Sequence, residues 1–132
     1  RHSEFNLEDE TTTLFQIWIE TDKPGTRPGW GMKPFPKSDR SGKFQVLASG
    51  SPDDGALDIN ADARVLGATL KAGESLTYEL AEGRRAYLVP AAGTVEINGT
   101  ALNARDGAAI KDEPTLTVTA REDAELVMVD SL

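Results

Sequence analysis

At 132 residues the chain has room for one ordinary domain, and a chain this size buries roughly two-thirds of its unfolded surface, enough for a core without staples. It has no Cys, which excludes disulfides and thiolate chemistry, and its net charge of −8 argues against general nucleic-acid binding, because phosphate contact relies on clustered Lys and Arg. No run approaches the roughly 18 apolar residues of a membrane span, the negative charge disfavours anionic membrane surfaces, and the expected location is the cytoplasm.

The chain opens on Arg1-His2 with no initiator Met and no signal peptide, and so reads as a processed product or a cut fragment. Residues 1–6 are short and polar. Residues 7–12 are acidic and Thr-rich, and Glu8, Asp9 and Glu10 are most simply a solvated loop. Residues 13–20 alternate as a strand, with Phe15, Ile17 and Ile19 on one face and Leu14, Gln16 and Trp18 on the other. Both faces are largely apolar, so burial on both sides is expected. From residue 21 to 43 the texture changes: Pro24-Gly25, Pro28-Gly29, Gly31, Pro34, Pro36 and Gly42 break any regular element. Trp30, Met32 and Phe35 are spaced through this linker and are expected to pin it, extended, onto a neighbouring surface.

The remainder is a succession of short strands at residues 44–48, 57–59, 65–70 and 75–80. They are separated by turn clusters at 50–55, 61–63, 71–74 and 82–85. Asn98-Gly99 between two alternating runs is the strongest hairpin signal, since both central residues of a type I′ turn need φ > 0. Val95 and Ile97 point to one face there, Thr94 and Glu96 to the other. Asp106-Gly107 marks a further turn before Ala108-Ala109-Ile110, residues 116–120 follow, and residues 125–130 form the last strand. With about ten short strands and no helical period over three turns, the chain reads as all-β, a small barrel or sandwich.

Chemistry is sparse. The sole histidine, His2, excludes a self-contained site with two His ligands and weakens any Ser-His-Asp reading. His2 and Glu4 are two apart, which on a strand places both on one face; they offer two donors to a divalent ion that needs about four to six. The plain alternative is a polar, flexible terminus. Asp53-Asp54 suggests calcium but lacks the alternating pattern of a binding loop, and turn chemistry explains it better. Glu82, Arg84 and Arg85 read either as an anion site or as a solvated charged turn. Trp30 and Phe35 either line a ligand groove or pin the linker.

Arg1-His2-Ser3-Glu4-Phe5-Asn6, followed by Leu14-Phe15-Gln16-Ile17-Trp18-Ile19, resembles the middle of the pirin family. Pro28 and Trp30 before Phe35 resemble that family's interdomain segment. Val46-Leu47-Ala48-Ser49 with Asp54-Gly55-Ala56-Leu57, then Val95-Glu96-Ile97-Asn98-Gly99, Asp106-Gly107-Ala108-Ala109-Ile110 and Leu116-Thr117-Val118, are similar to its C-terminal barrel. The resemblance implies a cupin-type jelly-roll β-barrel at residues 44–132, an interdomain segment at 21–43, and terminal strands of a preceding cupin barrel at 1–20. It implies a metal, Fe(II) or another divalent ion, held in that first barrel by three His and one Glu. His2 and Glu4 match the last two of these ligands, and Glu4 matches the candidate catalytic base. The upstream His-x-His pair has no counterpart here, so tight metal binding and activity are not expected of this chain alone. For the parent the resemblance implies a quercetin 2,3-dioxygenase acting on a flavonol-like substrate, with the N-terminal barrel as partner. The alternative it implies is a non-enzymatic regulatory module, a transcriptional cofactor or enzyme-binding partner. Truncation is expected to expose an apolar patch around Phe15, Ile17, Trp18 and Ile19 and to favour self-association.

Overall fold

A computed structural model of the chain describes residues 2–51 and 55–132. Among them lie ten strands: β1 (Gln45–Ser49), β2 (Leu57–Asp58), β3 (Ala63–Leu70), β4 (Ser75–Glu79), β5 (Arg85–Ala92), β6 (Val95–Ile97), β7 (Thr100–Leu102), β8 (Ala108–Lys111), β9 (Thr115–Ala120) and β10 (Ala124–Ser131). The turn residues cut the chain into these pieces. Gly73, Gly83, Gly93 and Gly99 all take positive φ at the bends, where a side chain would be strained.

Six strands form one sheet in the order β2-β1-β3-β10-β5-β8, and four form a second in the order β4-β9-β6-β7. The two sheets face each other as a jelly roll and are not joined into a closed cylinder. Apart from the parallel β1–β2 pair, the ladders are antiparallel. Each sheet turns one apolar face inward, and Leu70, Leu88, Leu116, Val118, Leu126 and Met128 are fully buried between them. β10 keeps the period of two along its length: Ala124, Leu126, Met128 and Asp130 point in, while Glu125, Val127, Val129 and Ser131 are half-covered on the outer face.

The Asn98-Gly99 hairpin is present as read, with φ of 45° and 85°. The Asn98 side chain also crosses to the next strand, donating to the Thr115 carbonyl at 3.0 Å and accepting from the Thr117 N–H at 2.8 Å. Val95 and Ile97 are buried and Glu96 faces outward, as the alternation requires. The residues between β2 and β3 make a tight turn closed by the Ala63 N–H on the Ala61 carbonyl at 2.8 Å. Pro90 lies inside β5, where it cannot donate to the ladder. The register against β10 shifts at that point, and the Pro90 carbonyl accepts instead from the Arg105 N–H at 2.7 Å.

The N-terminal third departs from the reading of its pattern. Residues 13–20 form no strand and are exposed almost throughout. A strand is stable only when neighbours satisfy its backbone groups, and no sheet edge among the described residues takes this segment as a partner. Leu14 and Phe15 instead lie beside Arg40, Glu125 and Val127 over the outer face of the six-stranded sheet. Pinning of the linker by aromatics is likewise corrected: Trp30 is 92% exposed and Met32 nearly so, and only Phe35 is half-buried, with the Lys33 ammonium 5.6 Å from its ring centroid. Polar contacts do the tethering. Lys33 Nζ donates to the Gly55 carbonyl at 2.5 Å, and Arg40, on a 3-10 helix at Lys37–Arg40 that the sequence reading did not include, pairs with Glu125 at 3.2 Å. No helix among the described residues is long and apolar enough to cross a membrane.

Two measurements check this picture. Asn98→Ala removes both a residue that tolerates positive φ and a cross-strand bridge, and should lower stability by about 1–3 kcal/mol in urea unfolding. Phe5, Leu7, Trp18, Trp30 and Met32 are all exposed within the first 32 residues, so sedimentation velocity should show concentration-dependent self-association. Strictly monomeric behaviour at high concentration would overturn that expectation.

Candidate metal centre

Asn6 organises the terminus. Its side-chain carbonyl accepts from the Glu8 N–H at 3.0 Å and the Thr12 hydroxyl at 3.2 Å, and its amide donates to the Glu10 carbonyl at 2.8 Å. Glu8, Asp9 and Glu10 are solvated, as read. Before this loop His2 Nε2 lies 3.3 Å from Glu4 Oε1, and after it Gln16 Nε2 returns to within 3.3 Å of the same imidazole nitrogen. Gln16 offers donors and ionised Glu4 only acceptors. The ring nitrogen therefore accepts from Gln16 in one tautomer and donates to Glu4 in the other.

His2 and Glu4 are thus brought together. Two donors bound to one ion at about 2.0–2.2 Å each stand roughly 3 Å apart, and the observed 3.3 Å is compatible with that. The donor chemistry, a neutral imidazole and a carboxylate, suits a divalent first-row ion. The set is incomplete: among the described residues no group of three or more His, Cys, Asp or Glu forms, and both side chains are about half exposed. The residues present therefore fit one side of a metal site. The sequence reading placed Gln16 on a strand face and in the family motif but did not read it as a neighbour of His2.

The other candidates separate. Asp53 and Asp54 lie outside the described residues. Trp30 and Phe35 line no common groove among the cavities found. The charged turn does not serve as a free anion site, because Arg84 is already engaged. Its Nε donates to Asp130 Oδ1 at 2.5 Å and its Nη1 to Asp62 Oδ1 at 2.8 Å. Asp130 is 1% exposed, and its other carboxylate oxygen accepts from the Tyr78 hydroxyl at 2.5 Å. One carboxylate on β10 thus ties the small sheet, through Tyr78 on β4, and the β4–β5 turn, through Arg84, to the large sheet. Burial opposes the Arg84 charge, but bonds to Asp62 and Asp130 outweigh it and raise its pKa. Burial first, then the bond to Asp130, pushes the Tyr78 hydroxyl up to about 12, with Arg64 acting in the opposite sense. This network was not anticipated, although Asp130 shares the inward parity of Leu126 and Met128.

Two facing sheets in jelly-roll order, buried faces inward, define a cupin-type domain. The chain superposes on the crystal structure of YhhW from Escherichia coli with a TM-score of 0.81 at 27% identity, covering 87% of this chain and 48% of that one. Residues 46–131 match the family described as the quercetinase C-terminal cupin domain. The chain belongs to the pirin family. It is 67% identical over 132 residues to a pirin-like protein of Caulobacter vibrioides, covering 99% of this chain and 57% of that protein. It is 34% identical over 133 residues to quercetin 2,3-dioxygenase of Escherichia coli, covering 98% and 55% respectively. A second crystal structure of YhhW, a bacterial pirin, contains nickel(II) and has a TM-score of 0.79. The chain spans a little over half the length of the curated relatives it matches.

Tyr78 gives a pH test. Its hydroxyl titrates near 10 when unfolded and about 12 when folded, so its contribution is complete below pH 10 and is lost as pH rises from 10 to 12. The melting temperature should fall across that window, and less steeply in Tyr78→Phe. At neutral pH the variant should lose about 1–3 kcal/mol, because a buried Asp130 oxygen loses its donor.

Proposed function

We propose that this chain is the C-terminal part of a two-barrel, metal-dependent dioxygenase of flavonol-like substrates. In this reading residues 1–20 belong to the preceding barrel, residues 21–43 connect the two, and residues 44–132 form the second barrel in the cytoplasmic protein. The observation that carries the reading is the 3.3 Å approach of His2 Nε2 to Glu4 Oε1 beside Gln16, on a terminus that lies outside the second barrel. It is supported by relatives named for quercetin dioxygenation, which are nearly twice as long as this chain. A missing N-terminal barrel supplies the remaining ligands and the enclosing pocket.

His2 and Glu4 are the residues that would hold the ion, Fe(II) or another divalent metal. When bound, such an ion supplies Lewis-acid chemistry at the substrate oxygens. Glu4 is the group placed to accept a proton from a substrate hydroxyl at its second carboxylate oxygen. Gln16 lies 3.3 Å from His2 Nε2 and would give way to the ion there. By itself the chain is inactive, since two half-exposed donors bind a divalent ion weakly and enclose nothing. A non-catalytic reading, in which the chain presents a partner surface, draws on the exposure of Trp18 (82%) and Trp30.

Anaerobic calorimetry with Fe(II) and with Ni(II) separates these. The 132-residue chain should give no heat beyond its His2→Ala control. A chain extended through the upstream barrel should bind one ion, consume quercetin, and lose both with His2→Ala or Glu4→Gln. An extended chain that binds no metal, or binds it and leaves quercetin intact, sinks the dioxygenase reading in favour of the non-catalytic one.

A further inference from the structure

The two sheets part along one side. β4 is an outer strand of the small sheet, with β9 on one flank, and among the described residues no ladder joins its other flank to β1 or β3 across the gap. A cleft of about 540 Å³ fills the gap, within the size range of small-molecule sites. Leu66 and Leu76 form its buried floor, and Phe44, Val46 and Tyr78 its walls. Phe44 and Tyr78 meet edge to face, with centroids 5.6 Å apart and planes at 79°, so the aromatic wall is rigid. Tyr78 is further held because its hydroxyl is committed to Asp130. Alternate residues of an outer strand direct their backbone N–H and C=O groups away from the sheet, which places such groups of β4 on the cleft side.

The rim carries the cation. Lys43 lines the cleft, is exposed, and makes no salt bridge among the described residues. Its backbone is fixed, because the neighbouring Gly42 N–H donates to the Thr69 carbonyl at 2.8 Å. The exposed Lys43 ammonium beside an apolar floor suits a ligand with one negative group and a flat apolar body.

We propose that this cleft binds a small aryl carboxylate, its ring on Phe44, Val46, Leu66 and Leu76 and its carboxylate on the Lys43 ammonium. The site is built from the end of the connecting segment, at Gly42 and Lys43, and from the second barrel, and it owes nothing to His2, Glu4 or the dioxygenase reading. The class of ligand follows from the lining: Leu66 and Leu76 offer no hydrogen bond, the Ser75 hydroxyl is engaged with Thr119 and the Tyr78 hydroxyl donates to Asp130, which leaves Thr77 as the one further hydroxyl beside the apolar floor.

The test is an amide NMR titration of the 132-residue chain with 2-naphthoate and, separately, with neutral 2-naphthamide. Saturable shifts should cluster at Gly42, Phe44, Val46, Leu76 and Tyr78, with naphthoate the tighter ligand. Lys43→Ala, an exposed substitution that leaves the fold intact, should weaken naphthoate about three- to fivefold and leave naphthamide unchanged. Val46→Trp should fill the cleft and abolish both. The proposal is overturned if those amides do not saturate, if the shifts gather elsewhere, or if naphthamide binds as well as naphthoate and Lys43→Ala changes neither.

Discussion

The structure depends on β10 being shared. It pairs along its length with β3 on one side and β5 on the other, so its backbone groups are satisfied within the large sheet. Its inward side chains, Leu126 and Met128 above all, are then free to close against Leu116 and Val118 of the small sheet. Burying one face of each sheet is what holds the two apart at a fixed distance, and every other feature hangs from that spacing. The hairpin at Asn98 keeps β6 and β7 in register on the small sheet. The shift at Pro90 absorbs the missing N–H in β5 without breaking β10's pairing.

The same inward alternation delivers Asp130 to the end of the core, where a carboxylate would be costly alone. Tyr78 and Arg84 make it affordable, each from an element other than the large sheet. Removing either partner leaves a buried charge short of a donor, so the network specifies how the sheets and the β4–β5 turn meet more than it adds raw stability. It also immobilises Tyr78, and through it the aromatic wall of the cleft where the sheets part.

The chain divides into parts with different physics. The strands from β1 to β10 pair with one another and bury their own apolar faces. The first 32 residues do neither: their large side chains are mostly exposed, and their order comes from Asn6, from His2 with Gln16, and from polar tethers at Lys33 and Arg40.

Local signals were enough for the barrel. Period-two alternation, Asn98-Gly99 and the Gly and Pro clusters report on φ, ψ and facing within a few residues, and the strands from residue 45 onward follow them closely. His2 and Glu4 also approach each other, but residues 2–7 form no strand, so they do not meet through the shared strand face that the spacing implied. Residues 13–20 carry as strong a strand pattern and yet form none, because a strand exists only with a neighbour, and pairing is not a local property. Which cation met Asp130, whether Trp30 was covered, how Gln16 reached His2 and where the sheets separated over Lys43 all depend on residues tens of positions apart meeting in space. Those contacts are not local properties: the packing of the two sheets decided the ones at Asp130 and Lys43, and the path of the N-terminal segment outside the sheets decided the ones at His2 and Trp30.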